Sequence, residues 1–299
     1  MDDMKHIIIY LKGMLMGIAD LVPGVSGGTI ALITGIYQRL INAIASVNLA
    51  NLKLLFSGQI KAAWQRVDGW FLMAVVTGIL SAIFLFASLI KFLLETHSVL
   101  TWSFFFGLIL ASAVFLTLSN RSVVWMNWLL LVLGIALGYF LSSQTIGILP
   151  AGLLGVFLAG MIAICAMILP GVSGSLILIL LGKYHLLIAA VEDQDWTTLF
   201  IFAGGCVIGL LAFSKFLKWI LARHYTATIY TLAGLMLGTL FKVWPWKNTL
   251  AGNNISPLTH PEPQLLTALL LMILAGLLVW MLFAYNNSQT DHHSKEGQA

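Results

Sequence analysis

The chain has 299 residues, of which 60% are hydrophobic and only 9% are Asp, Glu, Lys or Arg. A soluble domain carries about 25% charged residues, so a water-soluble enzyme or a nucleic-acid binder is excluded and the chain belongs in a bilayer. The net charge of +4 then acts as a topology signal.

The N-terminal stretch MDDMKHIIIYLKGMLMG has its apolar run broken by Lys12 and Gly13 and shows no small-x-small cleavage pattern, so it reads as mature protein and not as a signal peptide. Residues 7–37 form an apolar element interrupted by Pro23-Gly24. Residues 41–66 hold Lys53, Lys61, Arg66 and Trp64 among spaced leucines, the pattern of an amphipathic helix lying on a leaflet surface. The gaps between charged residues then predict spans over 69–90, 98–119 and 124–141, each near the roughly 20 residues a crossing needs. These elements make a first repeat, 1–145. A second repeat, 146–285, holds another broken element over 151–184, interrupted by Pro170-Gly171, and spans over 196–216, 225–242 and 264–285. The polar tail 286–299 carries no apolar period and is expected to be disordered. Cys165 and Cys206 lie inside apolar stretches as small packing residues, with no disulfide framework implied.

The two broken elements are copies of each other. ADLVPGVSGGTIALITGIY and AMILPGVSGSLILILLGKY place Pro23, Gly24, Val25, Ser26, Gly27, Gly35 and Tyr37 on Pro170, Gly171, Val172, Ser173, Gly174, Gly182 and Tyr184 at a constant offset of 147. Downstream, Trp70 and Gly78 pair with Trp196 and Gly204 at offset 126, and Gly107 pairs with Gly234 at 127. The 41–66 insert of the first copy accounts for the change in offset.

Charge bias bears on what the broken elements do. If each were a full span, the basic residues would divide almost evenly between the two faces, against the positive-inside rule. If each is a re-entrant hairpin, Lys5, Lys12, Arg39, Lys53, Lys61, Arg66, Arg121, Lys215, Lys218, Arg223 and Lys295 gather on one side, with both termini, and Glu192, Asp193 and Asp195 fall opposite. Three crossings then separate the hairpins, so the repeats have inverted topology, a recurrent transporter architecture. The expected fold is an all-α integral membrane protein in the cytoplasmic membrane, with both termini cytoplasmic.

A non-helical break at membrane depth is tolerated only where it is buried in protein or lines a wet cavity. The proline ends the incoming helix, the glycines let a ligand approach the backbone, and the serine caps the outgoing helix. Gly24, Val25, Ser26, Gly27 and Gly28, with Gly171, Val172, Ser173, Gly174 and Ser175, are therefore the candidate anion site, at helix starts whose N–H groups favour negative charge. Gly28 meets Ser175 in the second copy, so the site is only approximately symmetric. The competing explanation, that small residues here merely let helices pack, is weakened by two copies at equivalent positions.

The motif DLVPGVSGGTIALITGIY with its second copy LPGVSGSLILILLGKY resembles a bacterial and archaeal integral membrane family associated with polyprenyl-phosphate transport, and the resemblance covers about Lys12 to Leu282. It implies a translocase that returns undecaprenyl phosphate, the carrier lipid of cell-wall synthesis, from the outer to the inner leaflet. Tyr37 and Tyr184 are then candidate phosphate ligands, although interfacial anchoring suits them as well. Arg39 and Lys183, near the hairpin mouths, are candidate entry charges, with snorkelling the plainer explanation. Asp20 is the carboxylate placed deep in the membrane and a candidate proton carrier, with helix capping as its structural alternative. Its counterpart at offset 147 is Met167.

His6, His97, His185, His224, His260, His292 and His293 form no HExxH, and no carboxylates cluster, so no metal, cofactor or catalytic residue is expected. A lipid phosphatase would need an in-membrane acid/base pair that the spacing does not supply. The alternative function is a secondary transporter of a small soluble anion or metabolite. The sequence leaves oligomeric state open.

Overall fold

The computed structural model describes residues 2–143, 149–248 and 253–296. The boundary between the repeats at 145, residues 297–299 of the tail, and the side chains of His292 and His293 lie outside what is described. The first half runs α1 (Asp2–Asp20), α2 (Gly27–Ile33), α3 (Tyr37–Ala45), α4 (Leu49–Phe56), α5 (Ile60–Arg66), α6 (Gly69–Thr96), α7 (Ser98–Ser119) and α8 (Trp125–Ser143). The second runs α9 (Gly152–Ile168), α10 (Gly174–Leu180), α11 (Tyr184–Glu192), α12 (Trp196–Arg223), α13 (Tyr225–Thr239) and α14 (Leu265–Glu296). Among the described residues the extended pairing is confined to one isolated bridge, Lys247 with Asn254. The all-α class holds.

Five of these helices are long and apolar enough to cross a bilayer: α6, α7, α8, α12 and, over Leu265–Ala284, α14. They leave Phe84, Val132, Phe200 and Leu266 exposed along their lengths, which in water would drive aggregation and in lipid meets its own solvent. α6 and α12 continue past the expected 90 and 216 because they end at backbone breaks and not where hydrophobicity fades. Those breaks are His97 (φ −127°, ψ 46°) and His224 (φ −136°, ψ 51°), single residues separating α6 from α7 and α12 from α13. Each histidine carbonyl accepts from a threonine hydroxyl four residues on, Thr101 or Thr228, at 2.9 Å.

Three further departures have local causes. The 41–66 insert is not one helix, since the chain turns between α4 and α5 at Gly58 (φ 77°), and α5 folds back so that Trp64 meets Trp70 edge-on at 5.6 Å. The backbone stays helical to Glu296, through residues expected to be disordered, because extending an existing helix costs far less than nucleating one. α13 ends at Thr239, short of the expected 242; its 15 residues reach about 22 Å, less than the roughly 30 Å of a hydrocarbon core.

The halves share backbone landmarks. Gly24 (φ 86°) and Gly171 (φ 84°), like Gly35 (φ 74°) and Gly182 (φ 67°), turn the chain identically at offset 147. They also share packing: a Cβ on Gly78 would fall 2.3 Å from the Tyr10 carbonyl oxygen, and one on Gly205 would fall 2.1 Å from that of Phe157. α1 therefore packs on α6 as α9 packs on α12, through backbone contact that only small residues permit. Gly205, not Gly204, is thus the packing counterpart of Gly78, because a Cβ on Gly204 would meet open space.

Candidate functional site: two helix breaks in contact

The first break, Leu21–Ser26, separates α1 from α2; the second, Leu169–Ser173, separates α9 from α10. They lie against each other. Ser26, extended at φ −127°, caps α2 by accepting from the Gly28 N–H at 3.1 Å. Its hydroxyl also lies 3.2 Å from the carbonyl oxygens of Met167 and of Leu169, to which it donates. Tyr37 Oη donates to the Ile168 oxygen at 3.3 Å, and the Gly171 N–H donates to Thr29 Oγ1 at 2.9 Å. Carbonyls at the end of α9, which no helical N–H satisfies, are thus served by hydroxyls of the other half. A Cβ on Gly28 would fall 2.7 Å from the Ile168 oxygen, so a glycine is what lets the breaks touch.

The two helix starts are unlike. At α2, Asp20 Oδ1 accepts from the Gly27 N–H at 2.7 Å, so a carboxylate oxygen stands where an anion's oxygen would stand. At α10, Ser173 makes no side-chain cap, and its hydroxyl pairs with that of Ser175 at 2.8 Å. The position of Asp20 is taken there by Met167, and the amides of α10's first turn meet no side-chain acceptor from Ser173.

The sequence candidates fall out as follows. Gly24, Val25, Ser26, Gly27, Gly28, Gly171, Val172 and Ser173 are buried, with Ser26, Gly28 and Gly171 at the contact itself; Gly174 and Ser175 are half-buried. Tyr37 is buried and bridges the breaks, whereas Tyr184 is half-buried with its ring edge-on to His185 at 5.7 Å. Arg39 grips Asp68 through Nε at 2.6 Å and Nη2 at 3.1 Å, and its guanidinium lies 4.3 Å over the Phe71 ring. Lys183 is buried with Nζ donating to the Pro150 oxygen at 2.9 Å. Both proposed entry charges already have partners. Two residues escaped the sequence: Thr29, whose counterpart at offset 147 is Leu176, so the repeat hid it, and Lys242, whose Cγ lies 3.4 Å from the Cβ position of Gly24.

Apolar cavities reach the second break and the helices that flank the first. One of about 610 Å³ touches Leu169, His224 and Thr228; one of about 380 Å³ has His97 and Thr101 at the matching positions; one of about 500 Å³ reaches Ala19, Ile30 and Thr34.

The family described as "VCA0040-like: Undecaprenyl phosphate translocase-like" matches residues 16–257, which hold both breaks. The chain belongs to that family. It is 42% identical over 300 residues to a protein named polyprenyl-phosphate transporter from Vibrio cholerae serotype O1, covering 94% of this chain and 97% of the relative. A protein of the same name from Staphylococcus aureus is 33% identical over 256 residues, covering 80% of this chain and 86% of the relative. No solved structure matches the chain.

Proposed function

We propose that the chain is a transporter, not an enzyme, that moves polyprenyl phosphate, undecaprenyl phosphate in particular, from the outer to the inner leaflet of the cytoplasmic membrane. The relatives' names supply the substrate class; the observation that carries the site is that hydroxyls and amides of one break already hold carbonyls and hydroxyls of the other. A phosphate monoester is a stronger acceptor than a carbonyl. Entering between the breaks, it takes the Ser26 and Tyr37 hydroxyls and the Gly171 amide from their present partners and separates the halves that those bonds join. Once the halves separate, Gly24, Gly27, Gly28 and Gly174 leave room for the head group, and the Ser173 and Ser175 hydroxyls, now paired with each other at 2.8 Å, turn to it.

The polyprenyl tail need not cross anything polar. The apolar cavities that reach Leu169 and Ala19 offer it passage beside the head group, open toward lipid-facing helices. In this reading the broken elements are re-entrant hairpins entering from opposite faces, both termini are cytoplasmic, and the site is exposed to each leaflet in turn. Asp20 is the coupling group: protonated, it releases the Gly27 amide to the phosphate, and it gives up its proton on the inner side.

The test is reconstitution. Proteoliposomes holding a labelled polyprenyl phosphate in the outer leaflet should lose label accessibility when the protein is present, and Ser26→Ala should slow the loss. Transport of soluble anions with no effect on lipid accessibility would replace this reading with the soluble-anion one.

A further inference from the structure

α13 brings to the breaks a charge that neither break contains. It is held hard against α8 by facing glycines: a Cβ on Gly234 would fall 2.2 Å from the Leu131 oxygen, and one on Gly238 would fall 2.3 Å from that of Ile135. So placed, its last turn passes the second break, and the residues just after it pass the first. Met236 Cα lies 2.7 Å from the Cβ position of Gly171, and six residues on, past the helix end, Lys242 Cγ and Val243 Cγ2 lie 3.4 and 3.5 Å from that of Gly24. Because α13 ends early, Lys242 sits beside the membrane-embedded break while its side chain is exposed.

The chain then returns a second lysine to the same place. Lys247 Nζ donates to the Lys242 carbonyl at 2.9 Å and lies 4.0 Å over the Trp102 ring. Burial and the charge of Lys242 push the Lys247 ammonium down to about 8. Lys247 also lines a cavity of about 210 Å³ with Glu95, His97, His260 and Glu262. Even so, the ion pairs among the described residues are Arg39 with Asp68 and Lys91 with Glu95, so no carboxylate lies within 4 Å of either lysine. A lysine after a helix C-terminus complements the helix dipole, which explains Lys242 alone. Lys247 is held by the Lys242 carbonyl and the Trp102 ring, so a second cation stands near the first while neither is paired with a carboxylate.

We propose that Lys242, backed by Lys247, is the cation that receives a phosphate monoester as it enters the breaks from the side of the 240–264 loop. The inference rests on the transporter reading only for the lipid attached to that phosphate. Arg39 and Lys183 are held by protein partners, so the receiving charge comes from the end of α13 and has no counterpart in the first half, where offset 127 places Phe115.

The test is calorimetric titration of the full chain in detergent with farnesyl phosphate, farnesol and inorganic phosphate. The wild type should bind farnesyl phosphate, with affinity falling as salt rises. Lys242→Gln should bind it about tenfold more weakly, as loss of a charge-assisted contact implies. Lys242→Arg should restore most of the affinity, Lys247→Gln should weaken it less than Lys242→Gln, and farnesol binding should not move. Equal affinity in wild type and Lys242→Gln overturns the lysine assignment and leaves the transporter reading intact. No farnesyl phosphate binding by the wild type overturns the transporter reading, and the assignment with it unless inorganic phosphate binds. Inorganic phosphate binding as tightly as farnesyl phosphate, with the same loss in Lys242→Gln, keeps the lysine and removes the lipid. If Lys242→Gln does not fold, Lys242→Met replaces it; failure of both to fold makes the lysine structural and overturns the proposal.

Discussion

Gly24 and Gly171, 147 residues apart, hold the same left-handed backbone conformation, yet a side chain would meet different surroundings at each. The Cβ position of Gly24 faces side-chain atoms of Lys242 and Val243 at 3.4 to 3.8 Å, while that of Gly171 lies 2.7 Å from the backbone of Met236. Duplicated sequence thus holds one loose and one tight joint, the tight one closed by α13 and the loose one by the residues that follow it.

Alanine at the two positions should therefore act unequally. Gly24→Ala bears the left-handed cost of about 1–2 kcal/mol and remains foldable, whereas Gly171→Ala adds a backbone clash and should give little folded protein. Melting in detergent checks the order, and equal melting of the two variants would contradict the placement of α13.

The hydroxyls that join the breaks should matter in proportion to their bonds. Ser26→Ala removes both a helix cap and the donor to the α9 carbonyls, so it should cost about 1–2 kcal/mol of stability. Thr29→Val removes only the acceptor for the Gly171 amide and should cost about 1 kcal/mol. Differential scanning of the purified variants measures both. If the contact also gates transport, Thr29→Val should change the rate of lipid movement, which a purely structural bond would leave alone.

Topology is open to labelling. With Cys165 and Cys206 replaced, single cysteines at 48–60 or 119–123 should react only from the cytoplasmic side, and those at 192–195 or 253–260 only from outside. Reaction of residues 48–60 and the N-terminus from opposite sides would make the first broken element a full span and end the inverted-repeat reading.

Long apolar helices were legible because charge is so rare: the charge-free stretch between Glu95 and Arg121 holds α7, since lipid tolerates few charges along a helix. The repeat was legible because its turns demand glycine at 24, 35, 171 and 182. What escaped depended on distant partners. Nothing near Arg39 in sequence marks Asp68, 29 residues on, as the group that neutralises it. Nothing in 225–242 marks Thr239 as the end of α13, because that end is set by packing on α8 and the breaks. Nothing near Lys242 in sequence marks Gly24, 218 residues before it, as its neighbour.

Acid should loosen the start of α12. Asp195 accepts from the Thr198 hydroxyl at 2.5 Å and from its amide at 3.2 Å, and these bonds, the hydroxyl first, hold its carboxyl below the usual carboxylate range. A group whose folded pKa is depressed stabilises above its unfolded value, about 3.9 for Asp, and loses that contribution as pH falls through the folded value. Hydrogen exchange at Thr198 and Leu199 should therefore gain an acid-induced opening below about pH 4. Asp195→Asn, which caps without titrating, should abolish the pH dependence while keeping the protection seen at pH 7.

Asp20 carries the last prediction, because its geometry serves two roles at once. Its Oδ1 accepts from the Gly27 N–H at 2.7 Å, so it caps α2 in the ordinary structural sense. The same oxygen occupies the place a phosphate oxygen would take at that helix start, and no carboxylate is available at the second break, where Met167 stands instead. A phosphate moving inward against an inside-negative potential is opposed by about 2.3 kcal/mol per charge per 100 mV, so inward accumulation needs a compensating positive charge, and a proton carried by Asp20 would provide it. Asparagine separates the roles: its side-chain oxygen still accepts from Gly27, but it carries no proton across. Asp20→Asn should melt within about 1 kcal/mol of wild type and bind farnesyl phosphate, yet show lipid uptake that no longer responds to an imposed pH gradient. Asp20→Ala, which loses the cap as well, should lose about 0.5–2 kcal/mol of stability. An Asp20→Asn protein that is folded, binds the lipid and still follows the pH gradient like wild type would leave Asp20 as a helix cap and move the search for the coupling proton elsewhere.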